Sequence, residues 1–340
     1  MAEAVPFLPP SRHSAGYVGR LAELRLWAFR QWHRVLRETP PAWGDAFPAD
    51  ALGADAAAPA GDDAIVAWLD THRPSGVRHF TGTFFEHLSA CRSILETWGE
   101  PPRTRLTGLL HSIYSTEAFP RPLVSWSRRD VVRDLVGPRI EALVFCVCTM
   151  AREAFVKEVI SRAHLKEPVP ITHYRTGEQR LVEREATLDL ALFEAAHLAE
   201  LTCDLTTGAP APWLYLVSRI NRSAAAYGRR IGPLKERAPA VRREAEERSI
   251  VQYGEGIERA RRGAWAEAVE SLEACSKSNP LVAEPLAILA HVYGRLGERT
   301  LAAERAAAAR ALFEAWGTAW DKRLRFVDWQ ARAAAGGEWA

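Results

Sequence analysis

The sequence predicts an all-α protein with one small β-hairpin, followed by a short segment of helical repeats. Three observations carry that fold class. Apolar residues recur at three- and four-residue spacing along several stretches, the period of one helix face. Alternation appears in residues 169–182, on both sides of Thr176-Gly177, which reads as a hairpin. Gly263 and Gly297 lie 34 residues apart, as do Ala268 and Ala302, and Ala274 and Ala308. A fixed period of that length marks stacked helical pairs.

Composition narrows the function classes. A chain of 340 residues with 48% hydrophobic content can bury a sizeable core in one large or two modest domains. A net charge of +2 argues against nucleic acid as partner. The five cysteines are odd in number and include no CxxC pair, so Cys146 and Cys148, in an apolar run, read as buried thiols of a reducing compartment. The opening MAEAVPFLPP lacks the pattern of a signal peptide. The uncharged run Ala142 to Ala151 is shorter than the roughly 20 residues a bilayer requires. The expectation is a cytoplasmic protein with no membrane partner.

Residues 1–62 read as an N-terminal helix and a linker. Leu21, Leu24, Trp27, Ala28 and Trp32 give the helix, over residues 17–38, its apolar stripe, and Pro40-Pro41 end it. An Ala/Gly/Pro/Asp-rich stretch follows at 45–62. Residues 63–240 form the main domain. It begins with a short helix at 63–71 and a loop that delivers His79. Thr83 and Glu86 have capping-box spacing, so the next helix starts after Thr83 and stops before Gly99-Glu100-Pro101-Pro102. His87 shares its inward face with Phe84, Leu88, Cys91 and Leu95. A helix at 103–113 carries His111 near its end.

Further helices are predicted at 127–136 and 138–164, broken at Gly137-Pro138. After the hairpin, a helix at 184–206 places Leu190, Phe193, Glu194, His197 and Leu201 on one face. Residues 210–240 hold one more helix and a basic connection, and the charged run 228–248 reads as a solvated face, with phosphate binding as the functional alternative. Residues 241–335 are the repeats, with a capping helix at 318–332. They resemble tetratricopeptide repeats over one and a half to two units, which points to a protein partner.

Three helices presenting imidazoles to one interior is how helical proteins build metal sites. His79 and His87 on one helix would stand roughly 12 Å apart, too far to share an ion. The start at Thr83 removes that obstacle by leaving His79 on a loop. The pattern holds no HExxH, P-loop, GxSxG or Cys/His zinc spacing. Buried, hydrogen-bonded core histidines remain the competing reading.

HFTGTFFEHL, GLLHSIYSTEAF, RDVVRDLVGPRIEALVFCVC and THYRTGEQRLVERE, in this order, resemble an uncharacterised family of HD-like domains of bacteria and plants, over residues 75–220. The HD superfamily is all-helical. It binds divalent metal through a histidine, a His-Asp pair and a later aspartate. Most members are phosphohydrolases, and a branch resembling myo-inositol oxygenase carries two irons. The resemblance puts His87 at the first histidine, His111 in the pair and His197 near the late aspartate, with His79 an additional histidine. Ser112 stands where the superfamily has the metal-bridging aspartate.

That departure leaves a mononuclear, imidazole-rich site suited to iron, with zinc or manganese as alternatives. Glu117 is a further ligand candidate. Tyr114 and Arg175 are candidates for orienting a small-molecule substrate. Iron-dependent oxidation is the favoured reading. An inactive scaffold using the repeats is one alternative. Phosphohydrolysis with Glu117 and Asp189 or Glu194 as ligands is another.

Overall fold

A computed structural model describes residues 39–44, 47–53, 58–72, 76, 83–162, 165–204, 207–235 and 241–336. The expected helix at 17–38 and His79 lie outside the described residues. The chain is all-α apart from one two-stranded antiparallel hairpin. It divides into two compact units. The first runs to Leu198 and takes in Arg219–Ile231, and the second comprises Ala199–Ser218 and Gly232 onward. Among the described residues the chain changes unit three times.

The first unit contains α1 (Ala49–Gly53), α2 (Asp62–Thr71), α3 (Phe84–Thr97), α4 (Pro102–Leu110), α5 (Arg129–Val136), α6 (Pro138–Thr149) and α7 (Arg152–Ser161). The hairpin β1 (Val169–Thr172) and β2 (Gln179–Val182) precedes α8 (Arg184–Leu201). At the head of α3 the Thr83 hydroxyl accepts from the Glu86 N–H, and the Glu86 carboxylate accepts from the Thr83 N–H. That reciprocal box satisfies two of the donors a helix start leaves open. α4 lies close to α3 because residue 108 is glycine: a Cβ there would stand 2.7 Å from Leu95 Cδ1. α6 starts at Pro138 after Gly137, whose φ is 85°, and is buried along its length from Arg139 to Thr149. It packs on α1, α4 and α5.

The expected helix over 138–164 is two helices. Met150 is extended (φ −81°, ψ 151°) and bridges His173, while the Ala151 N–H donates to the Thr172 carbonyl at 2.7 Å. Pairing with the hairpin competes successfully with the intrahelical bonds and restarts the helix at Arg152. The hairpin pairs Val169 with Val182 and Thr172 with Gln179. His173 ties its turn together: Nδ1 accepts from the Arg175 and Thr176 N–H groups, and Nε2 donates to the Pro41 carbonyl.

The basic run at 228 also differs from its expected solvated role. Arg229 donates to Asp189 Oδ1 at 2.7 Å, to Thr104 and to Glu100. Arg103 (2.8 Å) and Arg139 (3.2 Å) complete the surround of the fully buried Asp189. Burial raises the Asp189 pKa, but Arg229, Arg103 and Thr104 outweigh it, so the carboxyl sits below its ordinary range.

The second unit holds the first turn of α9 (Leu214–Ala225), then α10 (Arg243–Arg261), α11 (Trp265–Ser278), α12 (Glu284–Arg295), α13 (Arg299–Trp316) and α14 (Phe326–Ala334). α10 pairs with α11 and α12 with α13. The intervening turns use Gly263 (φ 75°) and Gly297 (φ 80°), a left-handed backbone that glycine adopts without penalty. The Glu246 carboxylate accepts from the N–H groups of Trp213, Leu214 and Tyr215 at the head of α9. The capping helix expected at 318–332 is confined to α14. Residues Trp320 and Asp321 are instead held through their N–H groups by the Glu284 carboxylate. Among the described residues, no helix is long and apolar enough to cross a membrane.

Candidate metal centre

His87 lies one turn into α3, His111 caps the C-terminus of α4 and His197 sits near the end of α8. Each position follows from a local decision. The capping box fixes where α3 begins and hence which way His87 faces. α4 ends three residues earlier than expected, which makes His111 its cap. The apolar face of α8, with Leu190 and Phe193, carries His197 inward.

The three imidazoles meet. Their ring centroids form a near-equilateral triangle with sides of 4.9, 5.2 and 5.1 Å, and each pair of rings is close to perpendicular, at 78–82°. One ligand nitrogen from each lies within 4.8 Å of the other two. His87 Nε2 and His111 Nε2 are 3.0 Å apart. Two nitrogens bound at right angles to one ion, with bonds of about 2.1 Å, span about the same distance. His111 Nδ1 stands 2.7 Å from the Gly108 carbonyl oxygen. A carbonyl only accepts, so Nδ1 carries the proton and Nε2 keeps its lone pair for an ion. The donor set thus suits a transition metal.

The surroundings are apolar on one side. Phe193 lies 5.0 Å from His111 and 5.8 Å from His197, and Phe84 stacks on His87. His87 and His111 are buried, and His197 is half-buried. Cys148 is close by, its thiol donating to the His111 carbonyl, but burial pushes its pKa up to about 12 and keeps it protonated. Next to His197 stands Arg152, the first residue of α7. Its Nε and Nη2 donate to the two Glu194 oxygens at 2.6 and 2.8 Å. Its remaining nitrogen, Nη1, lies 3.5 Å from His197 Nε2.

The structure does not bring the other expected site residues to the histidines. Glu117 is exposed on the loop after His111 and is not among the grouped ligand atoms. Tyr114 is fully buried, stacks on Trp126 and donates its hydroxyl to Glu141 at 3.2 Å. Burial and the Glu141 charge push its pKa far above the ordinary phenol range. Arg175 is exposed at the hairpin turn. Asp189 is enclosed by arginines and Glu194 by Arg152, so neither carboxylate is available as a ligand. Ser112 is buried beside His111. Sequence reasoning missed Arg152. Its only signal was its place at the end of the apolar run from Ala142 to Ala151.

Residues 68–152 match the family model described as a domain of unknown function, DUF6817. The match includes His79, His87, His111 and Arg152 and ends before His197. No curated protein and no solved structure matches the chain.

Proposed function

We propose that the first unit is a metal-dependent enzyme domain. It holds one divalent transition-metal ion on His87, His111 and His197 and oxidises a small molecule, with iron as the metal. The carrying observation is the triangle of three imidazoles, with which no carboxylate among the described residues groups as a whole. Imidazole favours iron, zinc, copper and nickel over magnesium and calcium. The short separation of His87 Nε2 and His111 Nε2 supports both as ligands of one ion. Bound there, iron would supply the oxidation chemistry. The chain's own residues do the rest. The Gly108 carbonyl orients His111, Phe84 and Phe193 pack apolar surface against the imidazoles, and Glu194 fixes Arg152 beside His197.

Two-metal phosphohydrolysis is disfavoured on the same geometry. Such a centre needs bridging carboxylates, and Asp189, Glu194 and Glu117 are respectively enclosed, paired and exposed. The resemblance to HD-like domains agrees with the order of the three histidines along the chain and with Ser112 in the bridging position. The paired helices of the second unit, with their tetratricopeptide-like period, are the part suited to a protein partner.

Elemental analysis of protein purified without added metal tests the centre. About one iron per chain is expected, absent from His111→Ala. One zinc per chain would keep the centre and replace oxidation with hydrolysis. No metal in either protein would leave three hydrogen-bonded core histidines and sink the proposal.

A further inference from the structure

We propose that Arg152 sets the ligand class of the histidine centre, which takes a small oxyanion. One oxygen of the ligand would sit on the ion and another on the Arg152 guanidinium. This rests on the metal reading above. Carboxylate and phosphate share the required chemistry.

Geometry supplies the first argument. Glu194 occupies Arg152 Nε and Nη2 in a two-pronged pair, and the guanidinium lies 5.1 Å above the Phe193 ring. The side chain is therefore held in one orientation before any ligand arrives, which lowers the entropic cost of binding. The nitrogen that Glu194 leaves over is the one directed at the histidines. Its partner among the described residues is His197 Nε2 at 3.5 Å, a distance at the margin of a hydrogen bond. A ligand oxygen can take that donor with little loss.

Charge supplies the second. Arg152 and Glu194 cancel. Neutral imidazoles add nothing, so a bound divalent ion would bring two positive charges into a site where His87 and His111 are buried. An uncompensated buried charge is costly. No carboxylate oxygen groups with all three histidines among the described residues, and an oxyanion ligand would bring compensating charge directly to the ion. His197 and Arg152 are the less buried members, which puts the approach on the side where the free guanidinium nitrogen stands. The oxyanion preference thus follows from what surrounds the ion, not from the ion itself.

The full chain loaded with cobalt(II), whose visible spectrum reports its coordination, tests this. Acetate, inorganic phosphate and neutral imidazole are titrated separately into the wild type and Arg152→Lys. Lysine keeps the cation beside Glu194 but has no second donor nitrogen. At least one of the two anions should perturb the wild-type spectrum, and whichever does identifies the carboxylate or phosphate form. Its affinity should fall about tenfold or more in Arg152→Lys, while imidazole binding stays unchanged. The double variant Arg152→Gln/Glu194→Gln keeps a neutral pair in place and should show the same loss. Unchanged anion affinity in the cobalt-loaded variants overturns the inference, as does an equal loss for imidazole or a wild type that answers neither anion. A wild type that takes up no cobalt overturns the metal reading itself and this inference with it.

Discussion

At the scale of single residues, Gly108 does two things at once. Its carbonyl holds the His111 ring, and its lack of a side chain lets α4 approach α3. A methyl there meets Leu95 Cδ1 at 2.7 Å and the Cys91 backbone at 3.4 Å, both in a buried setting. Gly108→Ala is expected to lower stability by about 1–3 kcal/mol and to weaken metal uptake, because His87 and His111 ride on the two helices being pushed apart. Urea unfolding and metal titration read the two effects. A variant with wild-type stability and affinity would mean that the helices have slack. His87, His111 and His197 were legible because helical periodicity and a capping box are local signals. Arg152 was not legible, because a tertiary pairing decides its position. Glu117 and Tyr114 were candidates through nearness in sequence to His111, yet one faces solvent and the other is engaged by Glu141.

At the scale of elements, the same division recurs. The starts of α3 and α6 are written in neighbouring residues, Thr83 with Glu86 and Gly137 with Pro138. The break at Met150 depends on His173, more than twenty residues on, and nothing in the helical pattern of 138–164 announces it. Arg229 looked solvated for a related reason: its partners Glu100, Thr104 and Asp189 are 40 or more residues away in the chain, in a turn and two helices. In the second unit, Glu284 opens α12 and holds the chain beyond α13 through the Trp320 and Asp321 N–H groups. Burial raises its pKa from 4.5 to about 7, with the Asp321 charge adding and the N–H groups opposing. The folded value lies above the unfolded one. Its contribution is therefore fully present below about pH 4.5 and is lost as pH rises through about 7. Glu284→Gln can still accept from both N–H groups but does not titrate. Its melting temperature is expected to lack the part of the decline between pH 4.5 and 7 that the wild type shows. Identical slopes would place that titration elsewhere.

At the scale of the whole molecule, a ligand stabilises what it binds. Metal held by α3, α4 and α8 at a hundredfold excess over its dissociation constant adds about 2.7 kcal/mol to the opening of that unit. Chelation should speed hydrogen exchange in peptides from those helices about a hundredfold and leave peptides from α10 to α13 unchanged. Acceleration everywhere, or nowhere, would count against a centre confined to the first unit. The helical class and the single hairpin were readable in advance because period and alternation are properties of short windows. The threefold change of unit along the chain was not, since it depends on which distant segments pack together.

That interrupted path bears on how the protein is made. A nascent chain emerges amino end first, and the first unit needs Arg219–Ile231. Glu100 and Asp189 leave the ribosome well before Arg229, whose guanidinium they share. Synthesis must run through Ala199–Ser218, which belongs to the second unit, before that pairing can form. The histidine unit is therefore not a vectorial, finish-as-you-go fold. Its ion core closes late, and a translation product that stops before residue 229 would leave Asp189 with Arg103 and Arg139 but Glu100 without its arginine.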